Sequence, residues 1–324
     1  MHELFQEQIP GVTTVAQPGN GVWMTDSITG ESAQIGRFVP ELLGPENRMV
    51  ICENGFLDFG VSALRRCMEY PQEWVTIDEI GYLDADCEVY QRTLWELMMR
   101  KRVAAVVRKQ ELPFLRELTE REDAFVVDMD DTFGNCGCVI MASGLGKRFG
   151  RNKLMADFDG APMIARILDA TQGIFNRRVV VTRHEDVADY CRDKGVQVVL
   201  HGLPHRSDTI RLGLEAMTEV DRCMFCPGDQ PLLTRDTVAA LCLSAAHDHG
   251  RIWRAEHGGD PGMPVLFPKW TFSELLALPE GKGGGWVIGR YPNRVGEISV
   301  LDPRELIDAD TPEILEQLRC EVIK

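Results

Sequence analysis

The segment from Met141 to Lys153 reads Met-Ala-Ser-Gly-Leu-Gly-Lys-Arg-Phe-Gly-Arg-Asn-Lys and directly follows the apolar stretch Cys138–Ile140. Gly144, Gly146 and Gly150 permit tight turns and let backbone N–H groups approach an anion closely. Lys147, Arg148 and Lys153 add three positive charges to the same loop. The chemistry this pattern suits is a grip on the phosphate tail of a nucleotide. It is not a Walker A loop, since no Gly-Lys-Ser/Thr closes it, and its glycine spacing is wrong for a dinucleotide fingerprint. A carboxylate suited to Mg²⁺ stands at Asp229, within Pro227-Gly-Asp-Gln-Pro-Leu232. Mg²⁺ takes one or two protein carboxylates and leaves its remaining positions to phosphate and water. Asp310 is the best second metal ligand and Asp308 a weaker one. Asp229 also suits a turn or helix cap, and Asp310-Thr-Pro also suits a helix start.

Alternating short apolar runs and amphipathic segments must position these residues. In the second part of the chain, strands are expected at Cys138–Met141, Arg178–Thr182, Val196–Leu200 and Arg222–Cys226, and further segments follow at Gly262–Phe267, Trp270–Leu278 and Arg294–Val300. Helices are expected at Pro162–Ala170, Glu185–Lys194, Ser207–Met217, Thr234–His247 and Pro312–Glu321. This predicts a doubly wound α/β domain of mostly parallel strands, with the glycine loop at the carboxyl end of its first strand, where such sheets bind nucleotides. In the first part, strands are expected at Val22–Thr25, Gln34–Phe38, Arg48–Glu53, Glu73–Ile77, Val103–Val107 and Ala124–Val127. Helices are expected there at Phe59–Glu69, Asp86–Met99 and Pro113–Glu120, so this part is also α/β. The acidic stretch Asp128–Gly137 separates two domains, 1–132 and 137–324.

With 35 Lys and Arg against 50 Asp and Glu, the formal charge is −15, which disfavours a general nucleic-acid binder. No apolar run reaches the roughly 20 residues of a bilayer span. The N-terminal residues lack a basic segment and an apolar core, so the expectation is a cytoplasmic protein without a secretory signal. Ten cysteines then read as reduced thiols. Cys223 and Cys226 have zinc-type spacing, but they lie in an apolar run and read as core. His201, His205, His247, His249 and His257 form no metal spacing.

The Met141–Lys153 loop resembles the signature loop of the nucleotidyltransferases that attach a nucleotide to the molybdenum cofactor, with Met141, Ser143 and Phe149 departing from the pattern. The resemblance extends over residues 137–320 through Asp159-Gly-Ala-Pro-Met163, Pro227-Gly-Asp-Gln-Pro-Leu232, Gly262-Met-Pro-Val-Leu-Phe267 and Asp308-Ala-Asp-Thr-Pro-Glu313. It implies a Rossmann-like nucleotidyltransferase that transfers CMP from CTP, with Mg²⁺, to the terminal phosphate of the molybdopterin cofactor, releasing pyrophosphate. It further implies that Met141, Ala142 and Ser143 face base and ribose. The N–H groups of Gly144, Leu145 and Gly146, with Arg148, would hold the β- and γ-phosphates. Lys153 would neutralise charge at the α-phosphate, and Asp229 with Asp310 would hold the metal. Ser207, Asp208 and Arg211, at a helix start, would lie beside the base; they also suit a plain helix cap. An Ala-Gly loop implies CTP and a Gly-Gly loop GTP, and Ala142-Ser143-Gly144 matches neither cleanly. Lys282 stands where the family carries Asp, which leaves the acceptor contacts open. Compatible alternatives are a GTP-using enzyme, a transferase for another phosphorylated acceptor, and a non-catalytic nucleotide-binding module that delivers cofactor to a molybdenum hydroxylase.

Residues 11–130 resemble a small family of P-loop nucleoside triphosphatases, through Ile77-Asp-Glu-Ile-Gly81 at a strand end. The phosphate loop itself is missing and would precede residue 11. The expectation is a truncated RecA/P-loop-like domain, from a late start or a degenerate module, without competent hydrolysis.

Overall fold

The computed structural model describes residues 9–39, 49–146, 149–150, 152–217 and 219–320. The chain forms two compact units, Met1–Phe125 and Val126–Lys324. The division falls a little before the acidic stretch expected to separate them. Among the described residues no helix is long and apolar enough to cross a membrane.

The first unit is a six-stranded mixed sheet ordered β4-β3-β2-β1-β5-β6. Its strands are β1 (Gly11–Gln17), β2 (Gly21–Asp26), β3 (Ser32–Arg37), β4 (Val50–Ile51), β5 (Trp74–Ile80) and β6 (Arg102–Val107). Strands β1 to β4 form an antiparallel meander, while β1, β5 and β6 pair in parallel. Helices α1 (Val61–Glu69), α2 (Tyr82–Ala85), α3 (Glu88–Arg100) and α4 (Pro113–Thr119) complete the unit. Asp78 and Glu79 lie near the end of β5, and the Glu79 carboxylate pairs with Arg108 Nε at 2.5 Å. One expected strand is absent: Ala124–Val127 is irregular, with Phe125 and Val126 about half exposed. No strand of either large sheet includes this run among the described residues.

The second unit carries a seven-stranded sheet ordered β11-β10-β7-β12-β14-β13-β15. The parallel part is β11 (Gln197–Leu200), β10 (Arg177–Thr182), β7 (Cys136–Ala142) and β12 (Arg222–Pro227). Beyond β12 the sheet turns antiparallel through β14 (Asp260–Pro268) to β13 (Ile252–His257), and β15 (Val295–Ser299) pairs parallel to β13. Strand β13 did not register in the sequence because Trp253, Arg254 and Glu256 interrupt its apolar pattern. A two-residue hairpin, β8 (Asp157–Phe158) and β9 (Ala161–Pro162), leads into α5 (Ile164–Ala170).

Side chains alternate between the two faces of this sheet with period two. Cys138, Ile140, Val180, Met224 and Cys226 join one apolar core. It is covered by α5, α6 (Glu185–Asp193), α8 (Arg235–His247) and α11 (Pro312–Cys320). Val139, Val179, Val181, Cys223 and Phe225 face a second core under α7 (Arg206–Glu215), α9 (Phe272–Leu276) and α10 (Gly285–Ile288). The segment expected at Trp270–Leu278 is a 3₁₀ turn at Lys269–Thr271 followed by the short α9. Close packing fixes α7 on the central strand: a Cβ on Gly213 would lie 2.4 Å from Val139 Cγ1. Cys223 and Cys226 are fully buried free thiols, as their apolar setting implied.

Candidate functional site

Strands β7 and β12 are adjacent and parallel, with Met141 opposite Pro227. Both carboxyl ends, and the loops that follow them, therefore open at the same edge of the sheet. Gly228 N–H donates to the Met141 carbonyl at 3.0 Å and ties the two loops together. This places the glycine loop beside Asp229.

The glycine loop leaves β7 along a defined path. The Ala142 carbonyl accepts from Thr182 Oγ1 at 2.9 Å, and the Gly144 carbonyl accepts from His184 Nε2 at 2.8 Å. Gly146 adopts φ +55°, where glycine alone is unstrained, and its carbonyl accepts from Phe149 N–H at 2.9 Å. The N–H groups of Gly144, Leu145 and Gly146 make no backbone hydrogen bond among the described residues. A Cβ at Gly144 would meet open space, and Leu145 is exposed. Three successive donors at a strand end, with no backbone partner among the described residues, suit an oxyanion. Arg148, expected to assist them, lies outside the described residues, as do Lys147 and Arg151.

Lys153 opens a 3₁₀ turn capped by the Asn152 side chain, which accepts from Leu154 N–H at 3.2 Å. The Lys153 side chain is 8% exposed, and its Nζ bridges two carboxylates: Asp229, and Asp310 at 2.8 Å. Burial alone would depress the ammonium's pKa, but Asp229 and Asp310 outweigh it and the net shift is upward. The lysine therefore stays charged. The loop bearing Asp310 is clipped to the Asp229 loop by backbone, with Ala309 N–H donating to the Asp229 carbonyl at 2.8 Å. Gln230 Nε2 donates to Asp308 Oδ1 at 3.0 Å. Burial, and then the neighbouring Asp229 carboxylate, push the Asp308 carboxyl above its usual range. The expected pair Asp229 and Asp310 thus does converge, and a lysine ammonium already sits between its members.

The donor set suits a hard divalent cation. Two carboxylates meet at one point, a third is adjacent, and the buried Gln230 Oε1 has no donor among the described residues. Among the described residues no group of three or more His, Cys, Asp or Glu side chains is placed to enclose a metal by itself.

The residues expected beside the base are all engaged. Ser143 Oγ contacts the Val181 carbonyl at 3.1 Å and His201 Nε2 at 2.8 Å. His201 Nδ1 accepts from Leu203 N–H at 3.2 Å, which fixes the proton on Nε2. The chain of bonds then runs one way: Leu203 N–H to His201, His201 to Ser143, Ser143 to Val181. Ser207 is buried and accepts from Gly281 N–H at 3.3 Å, tethering the Gly281–Gly285 loop to the start of α7. Asp208 accepts from His205 N–H at 3.0 Å, a capping interaction for α7 that, with Arg211, lowers its carboxyl pKa. Its structural role is met in full by that cap.

His184 and His201 were not singled out as site residues in the sequence, where the histidines showed only an absence of metal spacing. The available signal was positional: each lies within two residues of the end of an apolar strand, and both strands end at the same sheet edge. Burial and the Arg183 charge hold the His201 pKa below its ordinary value of 6.5. A histidine kept neutral in the fold contributes its stability above that ordinary pKa and loses it as pH falls through the lowered one. Replacing His201 with Ala is expected to cost about 1 kcal/mol at neutral pH through the lost hydrogen bonds. The gap in melting temperature between the two proteins should shrink as pH falls below 6.5; a gap that widens on acidification contradicts the assigned tautomer.

Comparisons with known proteins concern this unit. Residues 138–295 match the family described as MobA-like NTP transferase domain. A 3-deoxy-manno-octulosonate cytidylyltransferase of Francisella tularensis is 31% identical over 93 residues, 27% of this chain and 37% of that protein. A probable molybdenum cofactor guanylyltransferase of Natranaerobius thermophilus is 26% identical over 117 residues, 35% of this chain and 57% of that protein. The chain thus spans little more than a third to just over half the length of these curated relatives. A nucleotidyl transferase structure from Methanothermobacter superposes with a TM-score of 0.51 at 20% identity, covering 58% of this chain and 98% of that one. The sheet order and the two-faced helical cover of the second unit are consistent with the match of residues 138–295 to the MobA-like NTP transferase domain.

Proposed function

We propose that this protein catalyses Mg²⁺-dependent nucleotidyl transfer, moving CMP from CTP to the terminal phosphate of the molybdopterin cofactor. An acceptor phosphate oxygen attacks the α-phosphorus, the bond to the β-phosphate oxygen breaks, and pyrophosphate leaves. One observation carries the proposal: the N–H groups of Gly144–Gly146, which have no backbone partner among the described residues, lie at the end of β7, beside the β12 end that bears Asp229 and its Lys153 partner.

In this reading the three N–H groups take the β- and γ-phosphate oxygens, with Arg148 joining them. Lys153 turns its ammonium from the carboxylates to oxygen at the α-phosphate, where charge develops. Asp229 and Asp310, released from Lys153, hold the divalent ion. When bound, that ion neutralises phosphate charge and aligns the attacking and leaving oxygens. Ser143 is held by His201 and Val181, so its hydroxyl shapes the base pocket through a fixed β7 exit rather than by rotating toward the base. Ser207 and Asp208 act as supports for α7 and the Gly281–Gly285 loop.

The relatives' names span both cytidylyl and guanylyl transfer, so the reaction is tested with each common triphosphate. Purified protein, Mg²⁺ and molybdopterin cofactor are incubated with CTP, GTP, ATP or UTP, and pyrophosphate is measured. CTP is expected to give at least a tenfold higher rate than GTP. Release with GTP and not CTP overturns the cytidylyl assignment, and release with none overturns the activity. A molybdenum hydroxylase is the proposed recipient of the product.

A further inference from the structure

At the end of the second unit's sheet opposite the glycine loop lies a cavity of about 350 Å³. Arg222, which opens β12, and Pro268, which closes β14, both line it. Asp229 follows the other end of β12, roughly 20 Å away at about 3.3 Å per strand residue. The cavity is therefore separate from the nucleotide site.

Its walls are rich in hydrogen-bond donors. Arg222, Arg251, Lys269, His249 and Trp270 line it, with Asp221 as the acid among the lining residues. The acids near these cations are already committed. Asp221 Oδ1 pairs with Lys269 Nζ at 3.4 Å, and its Oδ2 accepts from Asn135 Nδ2 at 3.3 Å. Asp248 takes Arg251 Nε at 2.9 Å. Arg222 is left over. It is 7% exposed, and its guanidinium Nη1 is buried with no hydrogen-bond partner among the described residues. The indole N–H of Trp270 is likewise buried without a partner. A buried guanidinium with no counter-charge is costly, and an unsatisfied buried N–H adds to that cost. Both costs fall away if an oxyanion enters the cavity. A guanidinium fork fits phosphate oxygens in a bidentate manner. The volume leaves room for an organic group beyond the phosphate.

We propose that this cavity is a second binding site, for a phosphate-type oxyanion, in which Arg222 and the Trp270 indole N–H are the principal ligands and Arg251 and Lys269 enclose the rim. The oxyanion is either inorganic phosphate or the phosphate of a small monoester, and the two share the same ligands.

The test follows the Trp270 indole N–H resonance in nitrogen-15-labelled protein, assigned by its loss in Trp270→Phe. Inorganic phosphate and ribose 5-phosphate are titrated separately, with acetate at matched ionic strength as the contrast. Saturable movement of that resonance is expected with phosphate, and tighter binding of ribose 5-phosphate marks a monoester site. Lys153→Met, which alters the nucleotide site, should leave this binding unchanged. Arg222→Gln should weaken it at least tenfold. Should that variant not fold, the double replacement of exposed Arg251→Gln and Lys269→Gln is expected to weaken it severalfold. No movement in the wild-type protein, equal movement with acetate, loss of binding in Lys153→Met, or unchanged affinity in the folded cavity variants each overturns the site.

Discussion

Replacement of Lys153 by Met is expected to lower kcat/KM for nucleotidyl transfer by about 10²–10³-fold, the usual effect of removing one group that meets developing transition-state charge. Met preserves most of the chain length and apolar contact of the buried stem, so lost turnover reports the ammonium. The same change removes the cation lying between Asp229 and Asp310. Divalent ions should then bind the ligand-free variant more tightly than the wild-type protein, because they no longer compete with an internal ammonium. Turnover at the wild-type level would place charge neutralisation elsewhere. Unchanged or weaker divalent binding would show that the two carboxylates are held apart by more than Lys153.

Asp229→Ala is expected to cost about 10²–10⁴-fold in turnover, since loss of a metal ligand forfeits several kcal/mol of charge stabilisation. A purely structural role makes a different prediction. The clip between the Asp229 and Asp310 loops uses the Asp229 backbone carbonyl, which Ala retains. The side chain's contact is with Lys153, and it is 21% exposed. Melting temperature should therefore change by only a few degrees while activity collapses, and excess Mg²⁺ should restore part of the activity. A large fall in melting temperature with proportionate loss of activity would assign Asp229 to the turn alone.

The parallel half of the second unit was legible because β7, β10 and β12 are buried on both faces and read as unbroken apolar runs. The glycine loop and Asp229 were legible for a related reason: each follows such a run at once. Their convergence with Asp310 was not. Lys153 and Asp310 stand far apart in the chain, and only the strand order, with the backbone clip at Ala309, brings them together. The role of His201 was hidden likewise, because β11 must lie beside β10, and β10 beside β7, before its ring reaches Ser143. In the first unit, β1 went unread because Thr13, Thr14 and three exposed residues dilute its pattern. Ala124–Val127 erred the opposite way: four apolar residues read as a strand, yet the run is irregular and half exposed.

The central claim is that the Gly144–Gly146 turn and the Asp229 cluster together bind a nucleoside triphosphate with its magnesium. Isothermal titration of the intact protein with CTP, GTP, ATP and UTP, with and without Mg²⁺, tests it most directly. The account predicts one saturable site for at least one triphosphate, dependent on Mg²⁺ and weakened at least tenfold by Asp229→Ala. Well-folded protein that takes up none of the four, or binds with equal affinity after Asp229→Ala, contradicts it.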